Sequence, residues 1–480
     1  MSCNNFTFSL DEIKTAAREN RLLSLEIEPT LRCNYHCPYC YSATNAVPEN
    51  ELSYDELTDV ITQAKHLGAR KIVILGGEPL LYERIFELVD FIGEQGLVAE
   101  MFSNGAFLTG EKAAWLFRSN VSLVLKLNSF KPEVQSLLTG ENSALCKAMN
   151  AIQAARDAGY PGEKASLAVS TVICSANVDE LEDIWRYLRD NNILPYFEVI
   201  TPQGKANENS WLQLDPHKIK SVFERISKLD FDEYGHEWEP RPPLVGSRCL
   251  RHLHSCLITS TGAVFPCVGI NEAVGSIRES YLKDIICDSE IIQDLRNFHD
   301  TIKEPCGSCE FSPECFGCRG ATYQLTGDWL AADPICWKNQ DRLDCISRLP
   351  VDVEKFIPHK PPMRMIDTLD IIGEKKAVVS LLVRPDNIFL DENGRLSETV
   401  FIELIAQAMA ACDGFSKNAA CDGMIIGLSN YEISGSAGKG DELKVLISKN
   451  IKFGNWGVVS GRVEKNGKLI ATGEIKIWQS

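Results

Sequence analysis

Three closely spaced cysteines stand near the start of the chain, in the segment R-C-N-Y-H-C-P-Y-C-Y at residues 32–41. Cys33, Cys37 and Cys40 follow the spacing C-x3-C-x2-C, which brings three thiolates together on one short loop. A closed structural zinc site needs four ligands, whereas a four-iron cluster held by three cysteine thiolates keeps one iron free for an outside ligand. The spacing therefore favours an iron–sulfur cluster with an open iron, and a zinc knuckle completed by His36 is the alternative.

Strand-like and helix-like segments alternate from about residue 24 to residue 228. Capping boxes at Ser9–Glu12 and Ser53–Glu56 predict the starts of two helices. Six strand–helix units predict a parallel sheet with helices outside it. Since six units are too few for an eight-stranded barrel, we expect an α/β fold with a partial (β/α)6 barrel. Sites in such folds lie at the carboxyl ends of the strands, and the cysteine loop follows the first strand.

A second motif, Gly76-Gly77-Glu78-Pro79, comes directly after the second strand. Paired glycines allow the backbone to approach a ligand closely, and Glu78 offers a carboxylate to a ligand ammonium group. Glycine turns after strands are common, so the motif alone does not indicate a ligand site. Its position one strand after the cysteine loop does.

Together the two motifs, with Tyr39 before the last cysteine, resemble the radical S-adenosylmethionine (SAM) superfamily. The resemblance implies that the open iron chelates the amino and carboxylate groups of SAM. Reductive cleavage of SAM would then give a 5′-deoxyadenosyl radical that abstracts hydrogen from a substrate. It also implies that residues 76–79 bind the SAM amino group. Further SAM contacts are expected at strand ends, where ordinary turn and core roles are the alternative: Ser103, Asn104, Lys126, Asn128, Ser129, Ser170 and the turn 201–204.

Eight more cysteines follow a proline-rich break at residues 239–246. Eight thiolates are the ligand count for two further four-iron clusters, and a pair of structural zinc ribbons is the alternative. The pattern resembles the SPASM extension of radical SAM enzymes that modify peptides, although C-F-G-C replaces the usual C-x-G-G-C. By resemblance, the first auxiliary cluster would use Cys249, Cys256, Cys267 and Cys318. The second would use Cys306, Cys309, Cys315 and Cys336.

The C-terminal part of the sequence, from about residue 350, has few cysteines. An apolar, alanine-rich segment at 398–415 predicts a helix buried nearly all round, and four strand-like stretches follow it. The segments P-H-K-P-P-M-R-M-I-D and E-L-I-A-Q-A-M-A resemble 3-hydroxyacyl-carrier-protein dehydratases of the hot-dog fold. In that family a Glu at the position of Glu403 works with a His in the sequence leading into the helix. No histidine lies there, and His359 belongs to the other motif, so we expect a binding or dimerisation module rather than an active dehydratase.

These features predict a radical SAM barrel at 1–240, a small cysteine-rich α+β SPASM domain at 241–348 and an α+β hot-dog domain at 349–480. The net charge of −17 disfavours nucleic acid and anionic membranes as partners. Since neither a signal peptide nor a long apolar run is evident, we expect a cytoplasmic protein. Its expected cofactors are SAM and three [4Fe-4S] clusters.

We expect an enzyme that abstracts hydrogen from a peptide or from an acyl group linked to a carrier protein. A flavodoxin- or ferredoxin-type protein would donate electrons, and the hot-dog domain would form a homodimer. The alternative function is that of an iron–sulfur electron carrier or scaffold without SAM turnover.

Overall fold

The computed structural model describes residues 8–42, 48–312, 315, 317–340, 349–373, 376–417 and 419–479. The chain forms two compact units. The first comprises Met1–Thr301 and Glu314–Trp337, and the second comprises Ile302–Pro313 and Lys338–Ser480.

A nine-stranded sheet organises the first unit, in the order β6-β5-β4-β3-β2-β1-β7-β8-β9. Strands β1 to β6 pair in parallel with their sequence neighbours, which confirms the predicted parallel sheet. Strand β7 adds in parallel beside β1, and β8 and β9 continue antiparallel. The strands are β1 Ser24–Ile27, β2 Lys71–Ile74, β3 Val98–Ser103, β4 Ser122–Lys126, β5 Leu167–Ile173, β6 Leu194–Val199, β7 Leu257–Ile258, β8 Ala263–Phe265 and β9 Gly275–Ser276.

Helices connect the parallel strands. Both predicted capping boxes are present, at Ser9–Glu12 and Ser53–Glu56. The helices are α1 Leu10–Arg18, α2 Tyr54–His66, α3 Ile85–Glu94, α4 Gly110–Arg118, α5 Pro132–Thr139, α6 Ala144–Asp157, α7 Leu181–Asp190, α8 Lys205–Glu208, α9 Pro216–Tyr234, α10 Arg251–His254, α11 Leu282–Asp288, α12 Glu290–Arg296, α13 Phe298–Thr301 and α14 Arg319–Thr326.

The two faces of the parallel sheet differ in polarity because successive side chains of a strand point to opposite faces. One face carries apolar residues such as Leu25, Ile27 and Ile72, which belong to the main hydrophobic core. The alternate positions are Glu26 on β1 and Glu28 just after the strand, both buried. The strands thus present buried acidic side chains on the face opposite the main core.

A seven-stranded antiparallel sheet organises the second unit, in the order β10-β11-β12-β14-β15-β16-β13. The buried helix α15, Val400–Lys417, packs against five of its strands. This arrangement confirms the predicted hot-dog type of fold. The strands are β10 Val351–Asp352, β11 Thr368–Ile372, β12 Lys376–Leu382, β13 Gly423–Ile433, β14 Glu442–Phe453, β15 Trp456–Lys465 and β16 Lys468–Gln479.

Some details differ from the sequence prediction. A short 3₁₀ turn at Pro79–Leu81 precedes α3, and α9 continues six residues beyond the predicted end near 228, to the left-handed cap at Gly235. Helix α5 was not predicted. Over the described ranges, none of the helices combines the length and the apolar character that crossing a membrane requires.

Candidate functional site

The three N-terminal cysteines lie together on the loop that follows β1. Burial raises the pKa of the Cys37 thiol to about 12, and the neighbouring Cys40 and Cys33 thiols add to this rise. Burial also raises the pKa of Cys33, again with a contribution from Cys40. Bound iron favours the thiolate, so these thiols are deprotonated as a cluster forms. The loop therefore brings together the predicted triad.

Hydrogen-bond donors surround the sulfur atoms of this loop. The backbone N–H of Tyr35 donates to Cys33 Sγ at 3.4 Å, and Asn104 Nδ2 lies 3.9 Å from the same sulfur. The Tyr39 hydroxyl hydrogen-bonds to Cys37 and also accepts from Asn128 Nδ2 at 2.7 Å. Hydrogen bonds to sulfur tune the potential of iron–sulfur clusters. These groups can therefore orient and tune a cluster on the loop.

The glycine pair after β2 packs against the backbone that leads into the cysteine loop. Gly77 N–H donates to Thr30 O at 2.9 Å, and Glu78 N–H donates to Arg32 O at 2.8 Å. A Cβ at Gly77 would lie 2.2 Å from Arg32 O, and Gly76 has a positive φ of 110°. Both positions thus require glycine for a close approach within the chain itself, which fixes residues 76–78 beside the cysteines.

Glu78 is completely buried, and its carboxylate accepts three hydrogen bonds from the protein. Its Oε1 accepts from Ser103 Oγ at 2.8 Å and from Leu80 N–H at 3.1 Å, and its Oε2 accepts from Asn104 N–H at 2.8 Å. Burial raises the pKa of Glu78, and these hydrogen bonds oppose that rise. The carboxylate therefore fixes the turn that carries Asn104, and the contact of residues 76–79 with the SAM amino group stays a prediction.

The predicted contacts on β4 and β5 divide into two groups. Asn128 is buried and uses its side chain within the protein, since it donates to Tyr39 and its Oδ1 accepts from Val172 N–H at 3.1 Å. Lys126 Nζ donates to Ser170 Oγ at 3.0 Å and lies 5.2 Å from the Tyr39 ring centroid. Burial lowers the pKa of Lys126. Asn128 therefore positions Tyr39, while Lys126 and Ser170 remain predicted SAM contacts.

Two further contacts support the loop and were not predicted. Lys205 N–H, just after the turn 201–204, donates to Cys40 O at 3.0 Å. The Tyr41 hydroxyl donates to Glu28 Oε1 at 2.7 Å. Burial raises the pKa of Glu28 to about 7. The E-I-E alternation of β1 is the sequence signal that could have placed Glu26 and Glu28 on one face.

Three cysteines of the second field cluster in the first unit. Burial raises the pKa of Cys318, and the Cys249 and Cys267 thiols add to that rise. The Cys267 turn packs on the start of α14, since a Cβ at Gly269 would lie 2.6 Å from Gly320 Cα.

Cys256 does not join this cluster. It precedes β7 and belongs to the main hydrophobic core on the helix-covered face of the sheet. Its assignment as a ligand of the first auxiliary cluster therefore disagrees with the structure.

The remaining auxiliary cysteines are distributed over both units. Cys306 and Cys309 belong to the second unit, and Asn339 Nδ2 donates to Cys306 Sγ at 3.2 Å. Cys315 and Cys336 belong to the first. In the described ranges, no group of three or more His, Cys, Asp or Glu converges as a single metal ion requires. Each cysteine of a four-iron cluster binds its own iron, so convergence on one point is not needed.

A separate cavity lies in the C-terminal unit, with a volume of about 310 Å³. His359 and Glu403 line it together with apolar residues that include Met424 and Trp478. His359 Nε2 is 3.5 Å from Glu403 Oε1, so the expectation that Glu403 lacks a histidine partner is wrong. The P-H-K-P-P segment supplies the histidine because it folds over the helix that carries Glu403.

Gln407, one turn after Glu403 on α15, fixes this arrangement. Its Nε2 donates to Glu403 Oε1 at 2.9 Å and to Met363 O at 2.8 Å, and its Oε1 accepts from Met365 N–H at 2.9 Å. His359 Nδ1 is buried and has no hydrogen-bond partner among the described residues. A paired imidazole and carboxylate in an apolar cavity can perform general acid–base chemistry.

Three family models match successive parts of the chain. The radical SAM superfamily model matches residues 27–188, the SPASM iron–sulfur cluster-binding domain matches 249–310, and the ApeP dehydratase model matches 351–480.

Curated relatives include the AdoMet-dependent heme synthase of Methanosarcina barkeri, 26% identical over 346 residues, which cover 66% of this chain and 96% of the relative. The enzyme of that name from Nitratidesulfovibrio vulgaris is 25% identical over 338 residues, covering 64% and 90%.

Solved structures with a similar fold include SuiB of Streptococcus suis bound to SAM. It is 18% identical, with a TM-score of 0.52, and the match covers 66% of this chain and 78% of SuiB. A second is anSMEcpe with bound AdoMet and a peptide, 16% identical with a TM-score of 0.51, covering 67% of this chain and 95% of that one.

Proposed function

Since the chain is an enzyme with radical SAM and SPASM domains, we propose that it abstracts hydrogen from an acyl group held as a thioester on a carrier protein. SAM and its four-iron cluster supply the 5′-deoxyadenosyl radical for this step when they are bound. A flavodoxin- or ferredoxin-type protein donates the electron. The protein's own residues position the cofactors and the substrate.

Different residues around the cysteine loop bind the cluster and SAM. Cys33, Cys37 and Cys40 hold the cluster that binds SAM, and residues 76–79 place their backbone beside it. Lys126 and Ser170 bind the SAM carboxylate or ribose. Two auxiliary [4Fe-4S] clusters use the second cysteine field, and the domains span 1–240, 241–348 and 349–480.

The observation that carries the choice of an acyl substrate is the His359–Glu403 pair at 3.5 Å in a cavity of about 310 Å³. That volume suits a ligand of modest size, and apolar lining with a few polar groups is typical of small-molecule sites. The pair is suited to moving the proton of a 3-hydroxyacyl or enoyl thioester. A chain that carries both sites fits acyl-chain chemistry better than modification of a peptide.

The first experiment identifies the substrate class of the radical reaction. Reconstituted protein is incubated anaerobically with SAM, dithionite and a deuterated acyl-carrier protein, and deuterium in 5′-deoxyadenosine is measured by mass spectrometry. Transfer of deuterium supports the proposal, and Cys37→Ala is the negative control. Deuterium transfer from a peptide or a tetrapyrrole, but not from the acyl chain, would contradict it. Formation of no 5′-deoxyadenosine with any substrate would support the electron-carrier alternative.

A second experiment tests the cavity separately. Glu403→Gln should abolish dehydration of a 3-hydroxyacyl thioester and leave SAM cleavage unchanged, because Glu403 serves only the C-terminal site. Glu398→Gln, just before the same helix, lies outside the cavity and is the matched control. If the wild-type protein and both variants dehydrate equally well or not at all, the proposed role of the pair is wrong.

The C-terminal unit also supports the proposal of a homodimer. Strand β13 is at the edge of the sheet, and Met424, Ile426 and Leu428 on it are exposed. An apolar edge strand readily pairs with another strand. Size-exclusion chromatography with light scattering should therefore give a mass of two chains, and Leu428→Lys should shift the protein towards one chain. A wild-type protein that runs as a single chain at micromolar concentration would contradict pairing.

A further inference from the structure

The polar face of the first sheet brings a carboxylate close to the Cys249, Cys267 and Cys318 group, and it excludes the fourth cysteine expected there. Strand β7 pairs in parallel with β1, with Glu26 in register with Leu257. Side chains in register share a face, and the preceding side chain points to the other face. Glu26 and Leu257 are therefore on one face, and Cys256 is on the opposite one.

Core packing supports the same division independently. Leu257 packs with Val73 and Leu75 in a small cluster. Cys256, which is 1% exposed, packs in the main core among residues of the helix-covered face. Burial has the largest effect on the pKa of its thiol, the charge of Arg296 on α12 acts more strongly on it than that of Glu26, and no cysteine of the group acts on it. A sheet layer thus separates the Cys256 thiol from the polar face.

The cysteines of the group approach one another through their own segments. Cys249 lines a small cleft with Gly317, the residue before Cys318. The Cys267 turn is in close contact with the residue two positions after Cys318, through the glycine pair Gly269 and Gly320. Ala321 N–H donates to Cys318 Sγ at 3.3 Å. Three thiols are therefore available to a cluster at this place.

Glu26 faces this group. Its side chain is 3% exposed, and its Oε2 has no hydrogen-bond partner in the part of the chain that the structure describes. Its Oε1 lies 3.7 Å from Arg251 Nε, and the backbone N–H of Arg251 donates to the Cys249 sulfur. The charge of Glu26 acts on both the Cys249 and the Cys267 thiols. A buried carboxylate oxygen without a partner is costly unless a cation or donor occupies the place beside it.

We propose that the first auxiliary cluster is held by Cys249, Cys267 and Cys318, with the Glu26 carboxylate as its fourth ligand, and that Cys256 is a core residue. This inference rests on the proposed presence of the auxiliary clusters. Carboxylate is a harder ligand than thiolate. One iron of this cluster therefore has a weaker, exchangeable ligand on the polar face of the sheet.

The test uses the full chain with Cys33, Cys37 and Cys40 replaced by alanine, so that only auxiliary clusters assemble. Iron per chain and the electron paramagnetic resonance spectrum of the reduced protein are measured in this background. Cys256→Ala and the better-filling Cys256→Val should leave both unchanged. Cys318→Ala should remove about four iron atoms per chain, the content of one cluster.

Glu26→Gln should change the spectrum of one auxiliary cluster and speed its loss to a chelator, because an amide binds iron more weakly than a carboxylate. Glu100→Gln on β3 is the matched control and should leave the spectrum unchanged, because the register of β3 with β2 and of β2 with β1 places Glu100 on the same face as Glu26. Loss of one cluster in both Cys256 variants would overturn the proposal. An unchanged spectrum in Glu26→Gln would overturn the carboxylate ligand. A background protein without any iron–sulfur signal would instead refute the auxiliary clusters themselves.

Discussion

Replacing Glu78 by glutamine tests whether this residue binds SAM or holds the polypeptide in place. The carboxylate is fully buried and accepts three hydrogen bonds, from Ser103, Leu80 and Asn104. Glutamine has nearly the same shape, and its single amide oxygen can still accept from Ser103 and Leu80. The amide NH₂ then faces the Asn104 N–H across the present 2.8 Å contact, and that donor loses its acceptor.

The magnitude follows from the single orphaned donor. Leaving a buried N–H without an acceptor costs about 1–3 kcal/mol. Glu78→Gln should therefore lower the free energy of unfolding by that amount. Each kcal/mol lowers the Tm by about 2–4 °C in a domain of roughly this size. Because the turn that carries Asn104 loosens, cluster assembly should also fall, while SAM affinity of the protein that retains its cluster should change little.

The assay is anaerobic urea unfolding followed by circular dichroism, with SAM binding measured separately by equilibrium dialysis on protein of known iron content. Glu83→Gln is the matched control, because its side chain is 83% exposed and surface substitutions of this kind change stability by less than about 0.5 kcal/mol. Unchanged stability together with a tenfold or greater loss of SAM affinity in Glu78→Gln would refute the reasoning and restore the direct contact with the ligand.

Three further predictions concern the clusters and the pH dependence. Cys37→Ala should abolish SAM cleavage because two thiolates do not hold the cluster; normal 5′-deoxyadenosine formation on chromatography would contradict this site. Cys309→Ala should lower iron content yet leave uncoupled SAM cleavage, and unchanged iron would argue against the second auxiliary cluster. Burial raises the pKa of Glu28 from 4.5 to about 7, so its contribution to stability is fully present below pH 4.5 and is lost as the pH rises through 7. In urea unfolding, the wild-type protein should thus lose on the order of 3 kcal/mol of its free energy of unfolding between these two pH values, and Glu28→Gln should not show this loss. The same pH dependence of the free energy of unfolding in both proteins would refute the pKa shift.

The sequence was sufficient for features that depend on local spacing. The C-x3-C-x2-C loop, the alternation of strands and helices and both capping boxes each involve residues close together in the chain, and the structure reproduces all of them. The parallel sheet followed from the alternation, whereas the hot-dog fold and SAM as a cofactor followed from the resemblance of the motifs to known families. The addition of β7 to the edge of β1 was not predictable in this way, because it depends on a pairing between residues more than two hundred positions apart.

The face of a sheet on which a residue lies is another feature that spacing does not reveal. Cys256 fits the ligand count of the second cysteine field, and only the register of β7 against β1 shows that its thiol points into the main core. A shift of one residue in register exchanges the two faces. Contacts between distant segments are equally hidden from spacing, as Glu403 shows. The family pattern places its histidine partner in the sequence before α15, but in the structure the partner is His359. The hydrogen bonds of Gln407 to Met363 and Met365 hold the segment that carries this histidine.

Several residues at or beside the predicted ligand contacts hold the cysteine loop. Glu78 fixes the turn of Asn104, Asn128 fixes Tyr39, and Lys205 anchors the backbone of Cys40. These residues follow β2, β3, β4 and β6, whose carboxyl ends meet at one edge because the strands are parallel. A cluster with one open iron has one protein ligand fewer than a closed site, so its loop depends more on such supports. Substitutions at these strand ends should therefore first lower the amount of assembled cluster. A test that measures SAM affinity alone would wrongly attribute the weaker SAM binding to a lost contact with SAM.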